Sequence, residues 1–184
     1  MLILITGGSG SGKSAYAEEY ITEISKGCKK YYIATMQAFD KEGQAKIERH
    51  QRMRSGKDFY TIEQPLRIEE ALEKMSVSGQ GLERKSKTAL LECMSNLVAN
   101  EMFSGADVKD SNTVIKKIIQ GVGQLNKGLK HLVIVTNNVF EDGVAYDETT
   151  MEYIRAMGGV NEKLAAMADK LIEVVVGIPV IVKE

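Results

Sequence analysis

The apolar run Leu2-Ile3-Leu4-Ile5-Thr6 passes directly into Gly7-Gly8-Ser9-Gly10-Ser11-Gly12-Lys13-Ser14, and this junction restricts the fold more than any other feature of the chain. The octapeptide satisfies G-x-x-x-x-G-K-[ST], the pattern of a phosphate-binding loop set between a buried strand and a helix. Glycines let the backbone curl so that successive N–H groups face phosphate oxygens. The helix that follows adds the partial positive charge of its first turn. Gly7, Gly8, Ser9, Gly10, Ser11, Gly12, Lys13 and Ser14 are therefore expected to hold the phosphates of ATP or GTP. Lys13 is expected on the β- and γ-phosphates, and the Ser14 hydroxyl on Mg²⁺.

The rest of the chain alternates short apolar runs with stretches of helical periodicity, which predicts an α/β domain around a mostly parallel sheet. Strands are expected at 2–6, 31–35, 59–62, 88–92 and 131–136. Residues 172–176 and 180–183 are expected to pair as a closing hairpin across Gly177. Helices are expected over 13–24, 40–54 with Asp40 as N-cap, 65–75 opened by Pro65, 94–103 and 112–129. A last helix is expected over 148–170, interrupted at Gly158-Gly159. The Ser/Gly-rich stretch 76–87 and residues 105–110 read as loops. At 184 residues the chain fits a single domain over 1–184.

Composition narrows the function. A formal net charge of -1 gives no field favouring nucleic acid or an anionic membrane. The apolar start is too short for a signal sequence or a membrane span, so a cytoplasmic location without a membrane partner is expected. Cys28 and Cys93 lack CxxC spacing and suggest neither a disulfide framework nor a zinc site.

Two further positions invite chemistry. A phosphate-loop Mg²⁺ site needs an acid at the end of a neighbouring parallel strand, and Glu92 closes the apolar run Ala89-Leu90-Leu91. Aspartate is the commoner residue there, so Glu92 is expected to act on the metal through a water rather than directly; a solvated strand-end acid would read the same way. Glu42, Lys46, His50 and Arg54 recur every four residues and share one face of the predicted helix. The cations flanking His50 disfavour its imidazolium. A neutral imidazole can serve as nucleophile or base, with its basic neighbours holding a phosphate against it. The same stripe equally describes a solvated helix face. His131 opens an apolar strand and reads as structural or surface-facing.

Several separated segments then resemble one family over nearly the whole chain. They are ILITGGSGSGKSAYAE, YIATMQAFDKEGQAKIERHQRMR, TIEQP, LLEC with SNL, VIVTN, and GVNEKLAAMADKLIEVVVGIPVIVK. Together they resemble the bifunctional adenosylcobinamide kinase and adenosylcobinamide-phosphate guanylyltransferases of cobalamin biosynthesis. The second segment, with Asp40, Glu42, Ile47, His50 and Arg54 in family spacing, is the most specific. The resemblance implies a RecA-like P-loop fold, ATP and GTP as substrates beside a corrinoid, and a trimeric homo-oligomer. It implies phosphorylation of adenosylcobinamide, then GMP transfer from GTP to the new phosphate through guanylylated His50. It also implies nucleotide contacts from Arg54 and from Glu63 in the E-x-P segment.

The chain departs from the family pattern at several places. Asn138 stands where an acid is usual and Phe140 where a glycine is. Ile154 and Arg155 replace an Arg-Asp pair, Gly159 replaces an arginine, and Gly10 and Ser11 stand where relatives carry a basic residue nearby. A guanylyltransferase-only variant, a different small-molecule kinase, and a degenerate nucleotide-binding relative are the alternatives these departures leave open.

Overall fold

A computed structural model of the chain describes residues 1–37, 48, 56–77, 86–138, 144 and 146–184. The described strands are β1 (Leu2–Thr6), β2 (Lys29–Ala34), β3 (Phe59–Glu63), β4 (Lys87–Glu92), β5 (His131–Val135), β6 (Lys170–Val175) and β7 (Ile178–Lys183). The described helices are α1 (Lys13–Ile24), α2 (Ala71–Val77), α3 (Met94–Phe103), α4 (Ser111–Lys127) and α5 (Glu148–Met167), with a 3₁₀ turn at Ile68–Glu70.

The strands form one sheet in the order β3-β2-β4-β5-β1-β6-β7. Every pairing is parallel except β6 with β7. This is the expected α/β architecture, with the C-terminal hairpin in place. A parallel sheet covered on both faces demands strands that are apolar throughout, and β1, β4 and β5 meet that demand. Along β1, Leu2 and Leu4 enter the core beneath α2–α5, while Ile3 and Ile5 enter the opposite core, against Ala17 and Ile21 of α1. Strand β1 lies between β5 and β6, so the glycine-rich loop emerges from the interior of the sheet.

Two expectations need correction. Pro65 does not open a helix. The Gln64 side-chain amide donates to the carbonyls of Leu66 and Arg67, and Arg67 takes φ 48°, holding a turn that delays helix α2 to Ala71. Nor do Gly158 and Gly159 interrupt the last helix, for α5 runs unbroken from Glu148 to Met167. Gly159 serves packing instead: a Cβ there would lie 2.5 Å from Ile115 Cδ1 on α4. Elsewhere α2 continues through Val77, and β4 starts at Lys87, inside the segment expected as a loop. The helix expected over 40–54 lies outside the described residues apart from residue 48, and so do 78–85 of the expected loop.

Candidate functional site

The phosphate loop is built by backbone conformations that side chains resist. Gly7, Gly10 and Gly12 have φ of 155°, 73° and 89°. A Cβ on Gly7 would meet Val174 O at 2.6 Å and Ser11 Oγ at 2.7 Å. The loop closes on itself through Ser11 N–H to Gly8 O at 3.2 Å, and Gly12 is the left-handed residue from which α1 starts. Lys13 folds back over the loop and donates from Nζ to Gly8 O at 2.9 Å. Burial draws its ammonium below the ordinary lysine value, while Cys93 and Glu92 nearby act in the opposite sense.

Glu92 ends β4, two strands from β1 on the same carboxyl edge. Its side chain is almost buried, and Tyr32 of β2 donates its phenolic hydroxyl to Oε2 at 3.0 Å. Below it, Thr35 pins the chain turn: Cys93 N–H donates to Thr35 Oγ1 and Thr35 Oγ1 donates to Cys93 O, both at 2.8 Å. The Cys93 thiol is pushed up in pKa by burial and stays protonated.

A chain of polar contacts fills the space between β4, β5 and α5. Asn137 Nδ2 donates to Ser95 Oγ at 2.7 Å, Ser95 Oγ lies 3.0 Å from Cys93 Sγ, and Tyr153 OH donates to Ser95 O at 3.2 Å. Asn161 links the same cluster to β5, donating to Asn137 O and accepting from Thr136 Oγ1. Burial raises the Tyr153 phenol to about 12, so it acts as a neutral donor. Asn138 N–H donates to Gly7 O at 3.3 Å, which ties this cluster to the phosphate loop. Sequence reading passed over Tyr32, Ser95 and Asn161; the signal within reach was the Thr-Asn pair that follows the strand of residues 131–135.

The structure therefore brings Lys13, Ser14 and Glu92 to one edge of the sheet, as the sequence predicts. Glu63 lies two strands from Glu92, with Ala34 in register between them, and far from the loop itself. It is exposed at the end of β3, the edge strand four places from β1, roughly 19 Å across at ~4.8 Å per strand. His50 and Arg54 lie outside the described residues. His131 opens β5 at the amino end, away from the loop, with its imidazole held below the usual value by burial and by the N-terminal ammonium. Among the described residues no group of three His, Cys, Asp or Glu side chains forms a metal cage, and no helix is long and apolar enough to cross a membrane. Of the departures from the family pattern, Arg155 ion-pairs with Glu152 on α5, and Glu152 accepts from Ser111 N–H of α4. Phe140 lies outside the described residues.

Comparison with solved structures finds the same fold in an ATPase domain, with a TM-score of 0.55 over 94% of this chain and 68% of that one, at 12% sequence identity. Two full-length relatives are bifunctional adenosylcobalamin biosynthesis proteins. The one from Escherichia coli is 31% identical and the one from Salmonella typhimurium 29% identical, each aligned over the whole of both chains. The family model for cobinamide kinase / cobinamide phosphate guanyltransferase matches residues 3–182, and the chain belongs to that family of kinases and nucleotidyltransferases.

Proposed function

We propose that this chain carries out two phosphorus transfers from one phosphate loop. In the first, the aminopropanol hydroxyl of adenosylcobinamide attacks the γ-phosphorus of a nucleoside triphosphate. A P–O bond to the new phosphate ester forms, the bond to the departing nucleoside diphosphate breaks, and the hydroxyl proton is lost to solvent or a base. In the second, GTP gives GMP to adenosylcobinamide phosphate, yielding adenosyl-GDP-cobinamide and pyrophosphate. The observation that supports this best is the meeting of Lys13, Ser14 and Glu92 at the carboxyl edge of the sheet, in a chain whose family match runs from residue 3 to 182.

The GMP transfer is assigned to His50. A neutral imidazole nitrogen attacks the α-phosphorus, forming a P–N bond as the P–O bond to pyrophosphate breaks. A phosphate oxygen of the second substrate then attacks the same phosphorus and releases the imidazole. Lys13 and the loop amides stabilise charge on the departing pyrophosphate, and Arg54 holds phosphate against the imidazole. Glu63 is assigned to the nucleotide's outer contacts.

The donor set fits Mg²⁺. A phosphate-loop metal takes most of its ligands from phosphate and water, so the Ser14 hydroxyl and the near-buried carboxylate of Glu92, fixed by Tyr32, would suffice from the protein side. When bound, the ion supplies charge neutralisation on the β- and γ-oxygens. This reading includes a single domain over 1–184, a cytoplasmic location, no nucleic-acid partner, and the trimeric homo-oligomer that the family resemblance implies.

The test is incubation of the purified protein with Mg²⁺ and α-labelled GTP. An adduct labile to acid, stable to alkali and absent in His50→Ala is expected. Bound GTP without an adduct would leave a plain kinase or a silent nucleotide binder.

A further inference from the structure

Strands β6 and β7 are joined by Val176-Gly177, with Val175 paired to Ile178 on either side. Both turn residues have positive φ, 49° and 83°. That is the signature of a two-residue hairpin turn of the I′ type, which favours Asn, Asp or Gly at its first position. A β-branched residue at positive φ is a conformational outlier. Burial does not hold it there, because Val176 is 86% exposed.

The turn is docked on the phosphate loop. Gly177 N–H donates to Ser11 O at 2.8 Å, and a Cβ on Gly12 would lie 3.5 Å from Gly177 Cα. One residue into β6, the carbonyl of Val174 abuts Gly7. The tip thus meets the loop where it enters α1. Lys13 draws the β- and γ-phosphates inward, so a bound nucleotide leaves the loop by its nucleoside end beside this tip. The surface there is apolar. Val175, Val176 and Ile178 are 44%, 86% and 65% exposed, and residues 174–182 contain no charged side chain. Such a ledge suits the flat face of a base or the carbon side of a ribose, and gives nothing to another phosphate.

We infer that the Val176-Gly177 turn is the nucleoside-contacting wall of the phosphate-loop site. Val176 packs on the base or ribose of a purine nucleotide, and the Gly177 amide keeps the Ser11 end of the loop in place. This rests on the proposed binding of nucleotide at Gly7 to Ser14.

The experiment compares Val176→Asn, Val176→Ile and the unaltered chain by calorimetric titration with ATP, GTP and tripolyphosphate, beside thermal melts and size-exclusion. Asparagine suits the turn, so Val176→Asn is expected to melt no lower. Its dissociation constants for ATP and GTP should rise about 5-fold from the lost apolar contact. Tripolyphosphate affinity should not change, and Val176→Ile should stay within about 2-fold of the unaltered chain. Unchanged ATP and GTP affinity in Val176→Asn would overturn the inference, all the more if that variant changes oligomeric state and so shows that the tip faces a second copy. Equal weakening of tripolyphosphate would overturn it too, since the turn would then act only through the loop. If the unaltered chain and Lys13→Ala bind nucleotide equally poorly, nucleotide binding itself fails and the wall falls with it.

Discussion

Tyr32 and Glu92 lie 60 residues apart in sequence and meet in a hydrogen bond of 3.0 Å between adjacent strands, phenol donating to carboxylate. Both side chains are almost buried, so the bond fixes where the acid can point. Tyr32→Phe keeps the ring and its edge contact with Phe59 while removing only the donor. A stability loss of about 1 kcal/mol is expected in urea unfolding. If Glu92 serves the metal, the Mg²⁺ concentration for half-maximal activity should also rise about 3- to 10-fold. A stability loss with no shift in the Mg²⁺ requirement would make Tyr32 structural only.

Lys13 predicts a pH dependence. Its ammonium is drawn below 10.5 chiefly by burial, so in the free protein the charge is lost earlier than on an exposed lysine. Triphosphate binding needs that charge. Affinity for ATP should therefore be full at neutral pH and fall as pH rises through the lowered value, before 10.5 is reached. The unfolded chain keeps its proton up to 10.5, so burial of the cation costs stability at neutral pH and the cost is relieved over the same rise. Lys13→Arg, which stays charged throughout, should lose this slope even if its affinity is lower. Titration of ATP at several pH values between 7 and 10.5 separates the two proteins.

The phosphate loop and the alternating apolar runs were legible because they are local: strand, tight turn and helix are written in consecutive residues. The hydrophobic segments of β1, β4 and β5 announce burial on both faces for the same reason. What could not be read depends on which strands become neighbours. Nothing near Tyr32 says that β2 lies beside β4, and nothing near Ser11 says that Gly177, 166 positions later, caps it. Pro65 misled because proline suits a turn as well as a first helical position, and Gln64 decided for the turn. The role proposed for His50 rests on resemblance, since a charged stripe at helical spacing has no unique meaning.

Helix α1 carries an ion pair with a measurable consequence. Glu18 is fully buried and receives Lys57 Nζ at 2.6 Å, while its other oxygen, Oε1, has no hydrogen-bond partner among the described residues. Removing the cation leaves a buried carboxylate uncompensated, a penalty of several kcal/mol in a dry site. Lys57 is one-third exposed, so water recovers part of it. Lys57→Met is expected to cost about 2 kcal/mol, and adding Glu18→Gln should restore at least half of that. Denaturant unfolding of both single variants and the double closes the cycle; strict additivity would mean that the pair is not coupled.

The two adjacent glycines of α5 should behave oppositely, although both are helical. Gly158 is exposed and a Cβ there meets nothing within 4 Å, so Gly158→Ala adds helix propensity without a clash. A gain of about 1 kcal/mol follows, which is ~2–4 °C in melting temperature for a chain of this size. Gly159 gains the same propensity, but its Cβ would sit 2.5 Å from Ile115 Cδ1 and 3.3 Å from Cγ1. Ile115 belongs to the core beneath the sheet and has little room to turn away. Forcing it off its rotamer, or prising α4 from α5, costs about 1–3 kcal/mol, enough to cancel the gain or reverse it. Thermal melts of the two alanine variants should therefore move apart, with Gly158→Ala above the unaltered chain and Gly159→Ala at or below it. Equal increases would mean that the α4–α5 contact is loose enough for Ile115 to give way to the added methyl.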